Sequence, residues 1–203
     1  MVPALVALLL GGLAHPESLS TTHIRVEGTR ATAELSFQAL SLIEVLPDLD
    51  TKPDGMLDAE ECSAGRRRID GYLLERLRVL RVDGEREQAL TGRVEELVPD
   101  DPAKVGAMDL QRVVARFAFE SEVPLEVLVV ESRLFHEVNP WHRDIATLEW
   151  NGDGPVVHTF EGGDTAGASS RRTCGVQECS RASCAWASST SSAGTTTSRS
   201  CSR

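Results

Sequence analysis

The chain of 203 residues is poor in cysteine, in aromatic side chains and in positive charge. Only one of its five cysteines, Cys62, precedes residue 174, so the first 173 residues can form no internal disulfide. Lys and Arg number 21 against 31 Asp and Glu, and the net charge of −10 argues against a nucleic-acid-binding protein. Aromatic residues make up only 4%, but the 41% of apolar residues can still form a modest core, which excludes wholesale disorder.

Catalytic signatures are missing as well. The sequence has no P-loop, no dinucleotide-binding fingerprint, no GxSxG and no HExxH. It also has no recognisable pairing of a nucleophile with a base, or of two acidic residues for acid–base catalysis. We therefore expect a non-enzymatic protein.

No apolar run is long enough to cross a bilayer as a helix, which takes about 20 residues. The run in residues 1–14 ends in the small residues Gly12 and Ala14 and is typical of a secretory signal peptide, although no Lys or Arg precedes His15. We expect cleavage after Ala14 and an exported chain, periplasmic or at the cell surface, that begins at His15. The alternative is that residues 1–14 form a buried N-terminal strand or helix.

Residues 15–160 form the predicted domain, and most of it shows the period-two alternation of half-buried strands. The alternating segments lie at residues 22–27, 31–40, 79–82, 113–119, 125–129, 145–150 and 156–160. Turn signals such as Asp83-Gly84 separate them, and this turn predicts a return strand through residue 94. Residues 58–77 differ, because their apolar residues recur at helical spacing. The sequence therefore predicts a mostly β (α+β), β-sandwich-like domain with one amphipathic helix.

An acidic loop, residues 50–61, precedes the predicted helix and has the spacing of an EF-hand calcium loop. Counted from the first acid, its candidate ligands are Asp50, Asp54, the backbone carbonyl of Met56, Asp58 and Glu61 at positions 1, 5, 7, 9 and 12, with Gly55 at position 6. Ca²⁺ takes six to eight oxygen ligands, and a glycine at position 6 permits the sharp turn that points them inward.

Lys52 is the defect of this loop, because at position 3 it removes a carboxylate and brings an ammonium group towards the cation. The same residues also fit a loop without metal, in which Pro53-Asp54-Gly55 forms a turn and Asp58 and Glu61 cap the helix. Weak Ca²⁺ binding and a metal-free relic of the loop both remain open.

His15 supports a second metal hypothesis if the signal is cleaved. The amine and the imidazole of an N-terminal histidine can together chelate Cu²⁺ or Ni²⁺, which suit nitrogen ligands. A second histidine would have to reach this terminus through the fold. An ordinary exposed terminus is the alternative.

Residues 161–203 form the predicted tail, and their composition differs from that of the domain. Residues 169–203 contain eleven Ser, five Thr, five Arg and four Cys, without Leu, Ile or Phe. Residues 1–168 carry a net charge of −14, whereas residues 169–203 carry +4. The cysteines at 174, 179 and 184 do not have zinc-ligand spacing, so we expect a disordered tail.

Several short motifs of the domain occur in a characteristic order. They are residues 14–20 (AHPESLS), 43–47 (IEVLP), the acidic loop, 72–76 (YLLER), 133–135 (RLF), 140–143 (PWHR) and 148–150 (LEW). Together they resemble the extracytoplasmic N-terminal part of bacterial HupE/UreJ-like membrane proteins, a group named for hydrogenase and urease accessory proteins. In that family, membrane helices rich in His and Asp follow this part and are associated with nickel or related metal-ion handling.

The resemblance implies membrane helices where this chain has its serine-rich tail. A frameshift would explain the difference, and a genuine disordered Ser/Thr/Cys tail is the alternative. With permitted codons, residues 186–203 read in the shifted frame as GIEHILGGHDHLSFLLA, which is similar to the start of the family's first membrane helix. We therefore expect a non-enzymatic HupE/UreJ-like extracytoplasmic domain whose membrane part, and with it any contact with a membrane, is lost. A Ca²⁺-binding module and a periplasmic copper or nickel carrier using His15 are the alternatives, and the sequence names no protein partner.

Overall fold

The computed structural model describes residues 18–106, 109–150, 153–162 and 165–170. The elements within them are β1 (Leu19–Glu27), β2 (Arg30–Gln38), α1 (Ala39–Val45), α2 (Ala59–Arg76), β3 (Leu77–Asp83), β4 (Arg86–Ala89), β5 (Thr91–Pro99), β6 (Arg112–Glu120), β7 (Val127–Ser132), β8 (Arg143–Trp150), β9 (Val156–Glu161) and β10 (Ala166–Ser170). Two 3-10 turns lie at Pro47–Leu49 and Pro102–Lys104. The predicted mostly-β, α+β fold is confirmed. No helix in these four stretches is long and apolar enough to cross a membrane.

The strands form two sheets. A six-stranded sheet has the order β5-β6-β2-β1-β8-β9, and a four-stranded sheet has the order β10-β7-β3-β4. Every neighbouring pair is antiparallel except β1 and β8, which run parallel although they lie at opposite ends of the domain sequence. This parallel pair fixes the position of the candidate site described below.

The core lies between the sheets and follows from the alternation of the strands. In β1 the inward residues include Ile24 and Val26, and in β8 they include Ala146, Leu148 and Trp150, all 5% exposed or less. Towards the beginning of both strands the same inward face carries polar residues instead. One end of the sandwich interior is therefore polar.

Helix α2 begins as its sequence predicts. The Asp58 carboxylate accepts from the backbone N–H of Glu61 at 2.8 Å, and the Glu61 carboxylate accepts from the N–H of Asp58 at 3.1 Å, which completes a capping box. The helix buries a stripe that includes Ile69 and Leu73. At Gly65 it passes so close to Leu49 that a Cβ atom would lie 2.1 Å from a Leu49 methyl carbon.

Three features differ from the sequence-based expectation. The predicted strand at residues 31–40 ends at Gln38, and a second short helix, α1, follows. The return from the Asp83-Gly84 turn is made by two strands, β4 and β5, which belong to different sheets. Strand β10 lies beyond residue 160, within the stretch assigned to the tail, and pairs with β7. The predicted signal segment, residues 1–14, and residues 171–203 of the tail lie outside the described residues.

Candidate functional site

A network of buried polar side chains occupies the polar end of the core, and Asp144 is its centre. This residue of β8 is 1% exposed, and its carboxylate accepts from three hydroxyl groups. Ser20 of β1 donates to Oδ1 at 2.9 Å, Thr22 of β1 donates to both oxygens at 2.9 and 3.0 Å, and Ser132 of β7 donates to Oδ2 at 2.7 Å. Because β7 belongs to the four-stranded sheet, the carboxylate joins the two sheets.

His142 extends the network towards the N-terminal end of β1. Its Nδ1 lies 2.6 Å from Oγ of Ser18, and its Nε2 lies 3.0 Å from Oγ of Ser20. Ser20 gives its single hydrogen to Asp144, so His142 donates to Ser20 from Nε2, and a neutral imidazole then accepts from Ser18 at Nδ1. Ser18 in turn accepts from Ser41 of α1 at 3.0 Å. With a neutral imidazole, the hydrogens therefore run in one direction from Ser41 to Asp144.

Burial acts on both titratable groups of this network. Burial, with a smaller contribution from the nearby His136, lowers the pKa of His142 to about 4. It also raises the pKa of Asp144, while the hydroxyl donors Ser132, Thr22 and Ser20 act in the opposite direction. The network thus combines an uncharged histidine with a carboxylate whose charge is stabilised mainly by hydroxyl groups.

The loop between β7 and β8 covers this end and contains a strained residue. Phe135 has φ = 60°, in the left-handed region that bulky side chains rarely adopt. It is fully buried, its ring lies 5.1 Å from that of His142 and 5.3 Å from that of Phe37, and its N–H donates to the Tyr72 hydroxyl at 2.8 Å. Strain of this kind persists only where surrounding contacts impose it, and it is concentrated at functional sites.

The tip of the same loop presents a tryptophan to solvent. The side chain of Trp141 is 85% exposed, whereas Trp150 in the core is 5% exposed. Two hydrogen bonds hold the loop around it, from the Trp141 N–H to Oδ1 of Asn139 at 3.0 Å and from the His142 N–H to the Asn139 carbonyl at 2.9 Å. The conformation of the loop therefore exposes the Trp141 ring, and Trp141 is adjacent in sequence to His142 of the buried network.

The acidic loop folds on itself. Asp50 accepts from the N–H groups of Asp54 and Gly55, at 3.3 and 2.9 Å, and Gly55 has the left-handed φ of 75° that its place at position 6 predicts. The N–H of Met56 donates to Oδ1 of Asp54 at 2.9 Å. The turn at residues 53–55 is therefore held by the carboxylates of Asp50 and Asp54.

Asp58 and Glu61, the candidate ligands at positions 9 and 12, also have partners within the loop. The Lys52 ammonium group binds the Asp58 carboxylate; this contact lowers the pKa of Asp58 and raises that of Lys52. Glu61 accepts from the hydroxyl and the N–H of Thr51, at 2.7 and 2.9 Å, and the hydroxyl bond lowers its pKa. The Lys52 ammonium group thus pairs with the Asp58 carboxylate, which a bound cation would use as a ligand.

The second predicted metal site depends on His15. His15 lies outside the described residues. Within the described ranges, no group of three or more His, Cys, Asp or Glu side chains is arranged to hold a metal ion.

Sequence reasoning missed the buried network, because serines, threonines and an aspartate on alternating positions look like solvent-facing residues. Only the unusual polarity of the inward positions 20, 22 and 144 could have revealed it.

Four of the seven motifs that carry the family resemblance are joined in pairs at this end of the domain. The Arg143 N–H donates to the Ser18 carbonyl at 3.1 Å, and the Arg133 N–H donates to the Arg76 carbonyl at 2.9 Å. The bond between Phe135 and Tyr72 joins the same two motifs a second time. Segments far apart in the sequence therefore form one structural unit around Phe135.

Comparisons with known proteins supply no relative for this unit: no protein-family model matches the chain, and no curated protein matches its sequence.

Proposed function

We propose that this chain is the non-enzymatic, exported head domain of a HupE/UreJ-like membrane protein that takes part in metal-ion handling, with its membrane part lost. The observation that carries the proposal is the contact between resemblance motifs, since Ser18 is hydrogen-bonded to Arg143 and residues 133–135 are hydrogen-bonded to residues 72–76. Motifs that serve one structural unit are expected to occur together. Any transport of metal ions would belong to the missing helices.

The geometry of the polar network supports a non-enzymatic role. Ser18 and His142 lie at hydrogen-bond distance, as a nucleophile and its base would, but they are only 6% and 1% exposed. Both ring nitrogens of His142 are engaged, and no network residue lines the surface cleft of about 420 Å³ around Asp100, Asp101 and Lys104. The Ser18 hydroxyl is therefore too deeply buried to meet a substrate directly.

The coding DNA tests the family assignment. We expect the frame shifted after about residue 169 to encode apolar helices containing His and Asp. A chain with this frame restored should move to the membrane fraction and import nickel, whereas the present chain should do neither. An alternative frame that encodes no such helix would contradict the assignment.

A serine-directed fluorophosphonate probe tests the absence of catalysis. We expect no labelling of the native chain, because the Ser18 hydroxyl is buried. The Ser18→Ala variant is the matched control. Labelling that is lost in this variant would show that Ser18 is an accessible nucleophile and would refute the non-enzymatic role.

A calcium-binding module is the second candidate, favoured by Gly55 in its left-handed conformation at position 6. If the loop binds Ca²⁺, calorimetry at millimolar Ca²⁺ should show heat and a raised melting temperature, both lost in Glu61→Gln and kept in Glu60→Gln. If Lys52 takes the place of the cation, the native chain should show neither effect. Lys52→Asp, which restores the acid at position 3, should then create binding.

A copper or nickel carrier that uses His15 is the third candidate. It requires export and cleavage after Ala14, and it needs a further nitrogen ligand from the folded domain.

A further inference from the structure

Strand β9 forms an edge of the six-stranded sheet. It is the last strand of that sheet in the described part of the chain, and β10, which follows it, pairs with β7 in the other sheet. An edge strand presents a row of backbone N–H and C=O groups, and soluble proteins protect such edges with charges, prolines or bulges. Between Val156 and Phe160 the sequence VVHTF has no Lys, Arg, Asp, Glu or Pro, and the pairing with β8 is regular. This edge is therefore open to another strand.

Strand β5, the opposite edge of the same sheet, carries all three kinds of protection. Its register with β6 shifts at a bulge between Val94 and Glu96, and it ends at Pro99, which has no N–H to donate. The Arg66 side chain of α2 donates to the Val94 carbonyl at 2.7 Å, and the exposed Arg93 adds a charge to the strand. The six-stranded sheet therefore has one closed edge, β5, and one open edge, β9.

The side chains of β9 also favour pairing with a further strand. Val, Thr and Phe are residue types enriched in strands. The Val157 side chain is 59% exposed on the outer face of the sheet, beside Thr147 of β8. Phe160 is fully buried and holds the strand to the core, so the edge is already ordered before a partner arrives. A strand added beside β9 would cover the Val157 side chain at little cost in conformational entropy.

A second copy of β9 fits this edge in the antiparallel direction. When two copies pair with His158 opposite His158, Val157 of each copy lies opposite Thr159 of the other, and Glu161 lies opposite the uncharged Pro155. No carboxylates face each other in this register, and the exposed valine meets a β-branched partner. Such a pair is isologous, so it uses the open edge of both copies and leaves only closed β5 edges at the ends of the joined sheet.

We propose that two copies of this chain associate by antiparallel pairing of their β9 strands, which joins their six-stranded sheets into one. The proposal rests on the edges of this sheet and is independent of the family assignment and of export. The contact is small beside the roughly 1,200–2,000 Å² of total surface that stable interfaces bury. We therefore expect a weak, reversible dimer.

Sedimentation equilibrium of the full chain in reducing buffer, in which no disulfide can link the copies, tests the proposal. We expect the mass to rise from that of one chain to that of two between micromolar and submillimolar concentrations. Val157→Lys should weaken association at least about tenfold, because a lysine on an edge strand opposes pairing. Val98→Lys is the matched control, since Val98 is a 44% exposed valine on the closed β5 edge, and it should associate like the native chain.

Hydrogen exchange locates the contact. Raising the protein concentration should slow amide exchange in β9 and leave exchange in β5 unchanged. A chain that stays monomeric at every concentration would overturn the proposal, and so would a dimer that Val157→Lys leaves intact or that Val98→Lys weakens equally. If the melting curve shows that Val157→Lys unfolds, Thr159→Lys, an exposed position on the same face of β9, takes its place.

Discussion

Acid should destabilise the domain through His142, because burial disfavours a second proton on its ring in the folded state. Ser18 donates to Nδ1 and the ring donates from Nε2, so an imidazolium would bring two hydrogens together at Nδ1 unless the bonds of Ser18 and Ser41 reverse. Burial, the main cause, lowers the pKa of His142 from 6.5 to about 4.

The sign and the size of the effect follow from this pKa. Between pH 6.5 and pH 4 the unfolded chain binds a proton at this histidine that the folded chain does not bind. The contribution of His142 to the free energy of unfolding is therefore present in full above pH 6.5 and is lost as the pH falls towards 4. The two pKa values correspond to about 3 kcal/mol, a large part of the 5–15 kcal/mol typical of a domain.

Asp144 acts in the opposite direction, because burial raises its folded pKa and the folded chain therefore takes up its proton first at low pH. The assay must separate the two groups. Urea unfolding of the native chain and of His142→Asn at pH values from 7 to 4 does so, since the variant keeps Asp144. His23→Asn, which removes an exposed histidine, is the control.

We expect the native chain to lose about 3 kcal/mol more than His142→Asn over this pH range, whatever the variant costs at pH 7. The His23 variant should follow the native curve. Parallel curves for the native chain and His142→Asn would show that the histidine charges freely in the folded state. The one-way hydrogen-bond chain would then be wrong.

The remaining predictions concern packing. Gly65→Ala should destabilise the domain by about 1–2 kcal/mol, since its Cβ would lie 2.1 Å from the buried Leu49 and overpacking outweighs the gain in helix propensity. Gly71→Ala, whose Cβ would meet nothing within 4 Å, should instead stabilise it by about 0.5–1 kcal/mol; equal effects at both positions in urea unfolding would contradict the close approach. Trp150→Ala should cost about 3–5 kcal/mol, whereas Trp141→Ala should change stability by less than about 0.5 kcal/mol, and a large loss at Trp141 would mean that its ring is not exposed.

The sequence predicts most of the strands because their inward positions are apolar and their outward positions polar. Strand β6 is an example, since Val113, Ala115, Phe117 and Phe119 are all buried. The capping box of α2 is equally local, because Asp58 and Glu61 are three residues apart.

Helix α1 gives no comparable signal. It begins after Gln38, whose side chain makes no capping bond, and its first residues continue the alternation of β2. Strand β10 has little apolar content and pairs through its backbone with β7, a contact that composition does not reveal. Such elements depend on tertiary pairing, which local propensity does not capture.

The candidate site was harder to predict because its partners meet only through the parallel pairing of β1 with β8. The acidic loop has a recognisable sequence pattern, but this pattern fits both a calcium loop and a metal-free turn followed by a capped helix. The contacts of Lys52 with Asp58 and of Thr51 with Glu61 give these two carboxylates partners within the loop, and a calcium titration separates the two arrangements.

The buried network also explains how the β1–β8 register is specified. Apolar alternation alone does not define it, because a slip of two residues would keep Ile24 and Val26 on the inner face. The observed register places Ser20 opposite Asp144, within reach of Thr22 and of Ser132 on the other sheet. A slip would move the hydroxyls of β1 away from the carboxylate and leave a buried charge uncompensated, at a cost of about 3–5 kcal/mol. The polar end of the core therefore selects one pairing among those that the apolar pattern permits.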